Sequence, residues 1–296
     1  MVQHFVAPPQ WEWYIVGYFF LGGLAGGAYL IGTLLRLLGD SRDEGVARLA
    51  FLVAFPAMAI CPLLLTLDLG HPIRFWHMMI NSRTWALNFK YWSPMSVGAW
   101  ALLGFGLFAT LSFVEALVRQ GSLRHPLGRG IADVMSGALG RVGMIVGSLL
   151  GLFVAGYTGV LLSVSNQPIW SDTWTLGGLF LASGLSVAAA TLAILARGRG
   201  DAATTEGKLS RADRVFILLE LVLLVAFFVT LGALAGRLLT PRWLVLWALV
   251  AAGTLVPLVI GRAPSASHRG SPVLAGGLVI LGGLALRIVV IFGAQM

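Results

Sequence analysis

Trp13-Tyr-Ile-Val-Gly-Tyr-Phe-Phe-Leu-Gly-Gly-Leu-Ala-Gly-Gly-Ala-Tyr-Leu-Ile-Gly-Thr-Leu-Leu-Arg-Leu-Leu38 contains no charged residue before Arg36. It exceeds the ~20 residues that a helix rising 1.5 Å per residue needs to cross ~30 Å of hydrocarbon. Backbone groups in lipid must be satisfied within their own segment, so a run of this kind reads as a transmembrane helix. The same reading applies seven more times: Ala47 to Asp68, Pro94 to Val118, Arg141 to Val164, Thr173 to Ala196, Arg214 to Gly236, Trp243 to Gly261 and Pro272 to Ala294. The fold class is therefore all-α membrane protein with eight spans. Apolar residues run consecutively rather than at every second position, which excludes a β-barrel pattern. Of the 296 residues, 58% are apolar and 11% charged, against about a quarter charged in a soluble domain.

Charge placement sets the expected topology. Fourteen of the twenty Lys and Arg fall on alternate connections: Arg36, Arg42 and Arg48; Arg119, Arg124, Arg129 and Arg141; Arg197, Arg199, Lys208, Arg211 and Arg214; Arg262 and Arg269. The positive-inside rule makes that side cytoplasmic, with both termini outside an inner (cytoplasmic) membrane. The net charge of +8 is thus accounted for by topology, and no basic cluster interleaved with aromatics suggests nucleic acid. Tryptophan follows the opposite side: Trp11, Trp13, Trp76, Trp85, Trp92, Trp170, Trp174 and Trp243 fall at the outer boundary, as an aromatic belt or a docking surface. Residues 69–93 form an outer loop, in which Phe75, Trp76, Met79 and Ile80 recur at the spacing of an interfacial helix. No cleaved leader is expected in Met1 to Glu12.

Phe19 to Arg36 can be laid without a gap on Phe180 to Arg197, matching Phe19/Phe180, Gly23/Gly184 and Ala28/Ala189 among others. An offset of four helices would make two parallel four-helix bundles. Gly22, Gly23, Gly26 and Gly27, and likewise Gly143, Gly147 and Gly151, read as close helix approaches.

The residues restrict the chemistry. His4, His71, His77, His125 and His268 all fall outside the spans, so axial haem ligation within the bundle is not expected. Cys61 is the single cysteine and reads as packing, too few thiolates for an iron–sulfur cluster. No protein metal site and no phosphate loop is expected. Ionisable groups within spans need a partner or a function. These are Asp68 at the outer end of the second span, Glu115 near the inner end of the third, Glu220 two turns inside the sixth and Arg287 in the outer half of the eighth.

Trp11-Glu-Trp-Tyr, Phe19-Phe-Leu-Gly-Gly-Leu-Ala-Gly-Gly27, Leu67-Asp-Leu-Gly-His-Pro-Ile-Arg-Phe75, Tyr157-Thr-Gly-Val-Leu-Leu162 and Pro168-Ile-Trp170 together resemble the polysulfide reductase NrfD family over nearly the whole chain. The resemblance implies a haem-free membrane anchor and quinone-binding subunit (menaquinone or ubiquinone) of a respiratory oxidoreductase complex, not catalytic alone. It would exchange electrons with an iron–sulfur subunit on the outer face, beside a larger catalytic subunit. Carried over residue by residue, the family's fourth-helix tyrosine is Tyr157 and its second-helix carboxylate falls near Asp68. Its first-helix histidine and asparagine contacts fall on Tyr18 and Ile15, a departure from the pattern. His71 and Arg74 would form the next shell toward the docked partner. Tyr18 lies ~8 Å and Tyr157 ~10 Å inward from the outer boundary at 1.5 Å per residue, so with Asp68 they share one leaflet. Glu115, Glu220 and Arg287 would make a proton path from the cytoplasmic side. The residues alone also allow a secondary transporter or a passive anchor. A reporter fused after Met296 is expected to read as outside and one inserted near Thr204 as cytoplasmic; opposite readings overturn the topology.

Overall fold

The computed structural model describes residues 9–197, 203–260 and 271–295. Arg199, Gly261, Arg262, Arg269, His4, His268 and Met296 lie outside the described residues. The chain runs α1 (Trp13–Leu38), α2 (Glu44–Asp68), α3 (Pro94–Arg119), α4 (Pro126–Ser136), α5 (Ala138–Ser163), α6 (Leu176–Ala196), α7 (Ala203–Leu231), α8 (Ala235–Leu238), α9 (Pro241–Ile260) and α10 (Ser271–Gly293). Eight of these helices are long and apolar enough to cross a membrane, and no strand occurs among the described residues.

Boundaries moved where polar residues found partners. The second helix starts at Glu44 rather than Ala47, because Asp40 and Asp43 close a capping box and Glu44 accepts from Arg36 at 2.8 Å. The expected interfacial helix is instead a 3-10 helix, Pro72–Met78. The loop that follows it is pinned by a bridge between Ile80 and Leu87 and by Asn88, whose amide donates to His77 O and whose carbonyl accepts from Trp100 Nε1. α4 had no counterpart among the predicted spans: eleven residues are too few to cross a bilayer.

α1 and α6 are the most buried spans and stand side by side at the centre. α1 packs on α2, α5 and α6; α6 packs also on α7 and α10; α9 pairs with α10. Small residues permit these approaches. A Cβ on Gly26 would fall on the Gly151 carbonyl of α5, and one on Gly253 of α9 would lie 2.6 Å from Leu278 O of α10. Without a hydrophobic force between helices in lipid, such backbone proximity supplies the packing. The residues matched between the two stretches meet: Gly23 lies against Gly184, and the rings of Phe19 and Phe180 are 6.0 Å apart, edge to face.

Arg287 is wholly buried at this centre. Its Nε donates to Phe19 O (3.1 Å), Nη2 to Phe180 O (3.1 Å), and Nη1 to Gly283 O (2.7 Å) and Ser183 Oγ (3.2 Å). One side chain therefore joins α1, α6 and α10. Overpacking the glycine seam is expected to loosen it. Gly26→Leu should destabilise the detergent-solubilised protein by about 1–3 kcal/mol, read as a lower unfolding temperature. Gly277→Leu, where a Cβ meets nothing within 4 Å, should leave that temperature unchanged.

Candidate functional site

The helices alternate in direction, so one end of the bundle collects Trp13, Asp68, Pro94 and Ser163 and the other collects Arg36, Glu44 and Arg119. We call these the aromatic and the arginine ends. At the aromatic end a cavity of about 680 Å³ lies among α1, α2, α3 and α5, partly roofed by Phe75, Met78 and Met79 of the 69–93 connection. Tyr18, Asp68 and Tyr157 all line it. Tyr18 and Tyr157 are 3% and 7% exposed, and they stand close enough to interact electrostatically. Neither hydroxyl has a hydrogen-bond partner among the described residues. The side chains are buried but line the cavity, so their hydroxyls are presented to whatever occupies it. Asp68, half-buried, has the Glu12 carboxylate as its charged neighbour.

The remaining surface is apolar, and four of the eight methionines, Met58, Met78, Met79 and Met95, contribute to it. Thioethers on three-bond stems adapt to varied ligand shapes. This feature went unread in the sequence, although the pair Met78-Met79 next to the Leu-Asp-Leu-Gly motif signals it. Along α3 the cavity extends from Met95 to Thr110, ~22 Å at 1.5 Å per residue. Leu103 and Leu107 are more than half exposed, so this flank opens sideways from the bundle.

His71 and Arg74 do not line the cavity; they are exposed on the 3-10 segment whose Phe75 and Met78 do. The expected tryptophan belt also divides. Trp13, Trp85, Trp92 and Trp174 are exposed, whereas Trp170 is fully buried, donating to Val290 O at 2.7 Å and stacking on Trp11 at 5.1 Å. Trp11 is a cavity wall, held also by Gln295, which exchanges two hydrogen bonds with its backbone. Trp170 is presented by Ile169, a β-branched residue held at φ 75° with its N–H donating to Asp172.

Glu115, Glu220 and Arg287 fall into two groups. Glu115 is fully buried at the arginine end, with Arg36 at 2.6 Å and Arg119 on its other oxygen. The spacing along α3 alone hid Arg36, which comes from α1. Glu220 lies with Arg287, and the Ser183 hydroxyl stands between them. One residue not singled out in the sequence joins this group: Asp213, two turns before Glu220 on α7, accepts from Ser186 at 2.9 Å. Its seven-residue spacing from Glu220 places both on one helix face, a signal that was present. At the start of this seam Asp43 accepts from Thr205 (2.7 Å) and Lys208 (2.6 Å). Among the described residues no group of three or more His, Cys, Asp or Glu could hold a metal ion.

The sequence profile described as "Polysulphide reductase, NrfD" matches residues 3–296. The chain belongs to this NrfD family. Relatives include the C component of polysulfide reductase from Wolinella succinogenes, 27% identical over 96% of this chain and 94% of that protein. Protein NrfD of Escherichia coli K12 is also 27% identical, over 97% of this chain and 95% of its own. The C component of selenate reductase from Mesobacillus selenatarsenatis is similar over a shorter stretch, 28% identical over 36% of this chain and 22% of the relative. The NrfD profile thus covers every helix that forms the cavity and the seam.

Proposed function

We propose that this chain is the membrane subunit of a respiratory reductase complex, and that it binds a quinone or quinol in the cavity at its aromatic end. That end faces outward, away from the arginine-rich side, and receives an iron–sulfur subunit beside a larger catalytic subunit. The observation that carries the reading is the pairing, in one apolar cavity, of two largely buried tyrosines whose hydroxyls lack protein partners among the described residues. The volume lies within the range of small-molecule sites. The relatives are named as parts of polysulfide and selenate reductases, which supports a place in a reductase complex with partner subunits.

In this reading Tyr157 and Tyr18 donate to the quinone carbonyl oxygens. Interconverting quinol and quinone moves two electrons and two protons; the electrons are exchanged with the docked partner, and Asp68 hands the protons between the cavity and the outer surface. The apolar walls exclude water, and the sideways opening along α3 suits a prenyl tail lying toward lipid. His71 and Arg74 face the docked partner. Buried carboxylates within spans are costly, so Asp213, Glu220 and Arg287 serve as a proton path from the arginine side.

Removing one hydroxyl from a buried contact costs ~0.5–1.5 kcal/mol, about 2- to 12-fold in rate. Tyr157→Phe is therefore expected to lower quinone-linked turnover by that factor while leaving assembly and partner-side reaction with artificial dyes intact. Asp68→Asn is expected to slow the same step and alter its pH profile. Normal quinone kinetics in both assembled variants would leave the protein a passive anchor or place the site elsewhere.

Glu220→Gln and Asp213→Asn are each expected to reduce turnover or the membrane potential generated per turnover in proteoliposomes. If both quantities are unchanged in both variants, these carboxylates are structural.

A further inference from the structure

Several buried glycines in this bundle make room for backbone. A Cβ on Gly159 would fall on Leu176 O, one on Gly26 on Gly151 O, and one on Gly184 within 2.8 Å of Gly23 Cα. Gly98 of α3, like Gly147 of α5 beneath the Tyr29 ring, instead makes room for a tyrosine side chain. The three atoms nearest to a Cβ built there are Cζ, Cε1 and Oη of Tyr157, all at the functional end of one side chain. Gly98 is buried, and its missing side chain leaves the space through which the phenol of Tyr157 passes α3.

The ring has somewhere else to go. Tyr157 lines not only the cavity of about 680 Å³ but also a second, of about 370 Å³, whose wall includes Tyr91, Trp92, Val97 and Phe153. Phe153 stacks on Tyr157 with centroids 5.6 Å apart. Further along the same interface, α3 and α5 stay joined through Phe105 against Gly151 and Phe108 against Gly147. A methyl group at position 98 would therefore be relieved by movement of the Tyr157 ring, not by parting of the helices. Restoring ordinary carbon–carbon separation needs a shift on the order of 1 Å. Hydrogen bonds weaken steeply outside a few tenths of an ångström of their optimum.

We propose that Gly98 is a positioning residue: the absence of its side chain fixes where the Tyr157 hydroxyl stands, and so whether that hydroxyl reaches the quinone carbonyl. This rests on the assignment of Tyr157 as the donor.

The test uses membranes containing the whole complex, with short-tail benzoquinones and naphthoquinones (or the corresponding quinols) as probes and an artificial dye as the partner-side control. Gly98→Ala is expected to lower quinone-linked kcat/KM by about 2- to 12-fold, the same range as Tyr157→Phe. The Gly98→Ala/Tyr157→Phe double variant should lose no more than the worse of the two singles, because both act on one hydroxyl. If Tyr157→Phe has no effect, the donor assignment itself fails. If Tyr157→Phe lowers kcat/KM but Gly98→Ala does not, or the two losses multiply in the double variant, only the role given to Gly98 fails. Should Gly98→Ala not assemble, Gly98→Ala/Tyr157→Leu is expected to restore assembly by removing the phenol; failure to do so would show that Tyr157 is not what the methyl meets, and would overturn the proposal.

Discussion

A guanidinium that cannot reach water holds the centre of this bundle. Burying an unpaired cation in lipid costs several kcal/mol or more, and Arg287 offsets that by donating to carbonyls of Phe19, Phe180 and Gly283 and to the Ser183 hydroxyl. Helix carbonyls retain a second lone pair while bonded within their own helix, so the clamp does not break α1 or α6. Its geometry demands that those two helices stand close, which Gly23 against Gly184 allows. The placement of Phe19 in turn fixes its neighbour Tyr18, on the cavity side of α1. The charge at the centre and the cavity at the side are two consequences of one helix position.

The two ends handle polarity in opposite ways. At the arginine end, Arg36 bridges Glu44 and Glu115, Arg119 also meets Glu115, and Lys208 bridges Asp40 and Asp43. Charges there are consumed in pairs that bind helices to one another, and the fully buried Glu115 would be strongly destabilising if either arginine were lost. At the aromatic end the polar side chains are few, and the two tyrosine hydroxyls of the cavity are left without partners among the described residues. A bundle closed by ion pairs at one end and hollowed by an apolar cavity at the other keeps its charge pairing and its open space apart along the membrane normal.

The number and order of the spans were legible because each is a continuous apolar run, and lipid leaves such runs no other secondary structure. The grouping of Tyr18, Asp68 and Tyr157 was also legible, since rise per residue places all three at similar depth on neighbouring helices. What the sequence concealed depends on contacts between distant helices. Arg36 meets Glu115 across 79 positions, and the acceptors of Arg287 are mostly backbone atoms, which no side-chain pattern announces. Gly98 carries no mark distinguishing it from packing glycines until Tyr157 is seen over it. The tryptophans misled in part because Trp11 and Trp170 occur near the boundary by count but turn inward to stack. The start of α2 was missed because its first turn is polar, stabilised by a capping box and by a salt bridge from α1 that hydropathy cannot register.

The clamp also imposes a sequence of events during biosynthesis. The eighth span emerges after the other seven, yet it carries the cation that joins α1 to α6. Until it arrives, the carbonyls of Phe19 and Phe180 and the Ser183 hydroxyl form a polar cleft waiting between helices already inserted, and Trp11 lacks the tether supplied by Gln295. A charged helix that would enter lipid unfavourably by itself finds its solvation prepared within the nascent protein. The wall of the cavity is thus finished late, by a residue far along the chain from the helices that shape the rest of it.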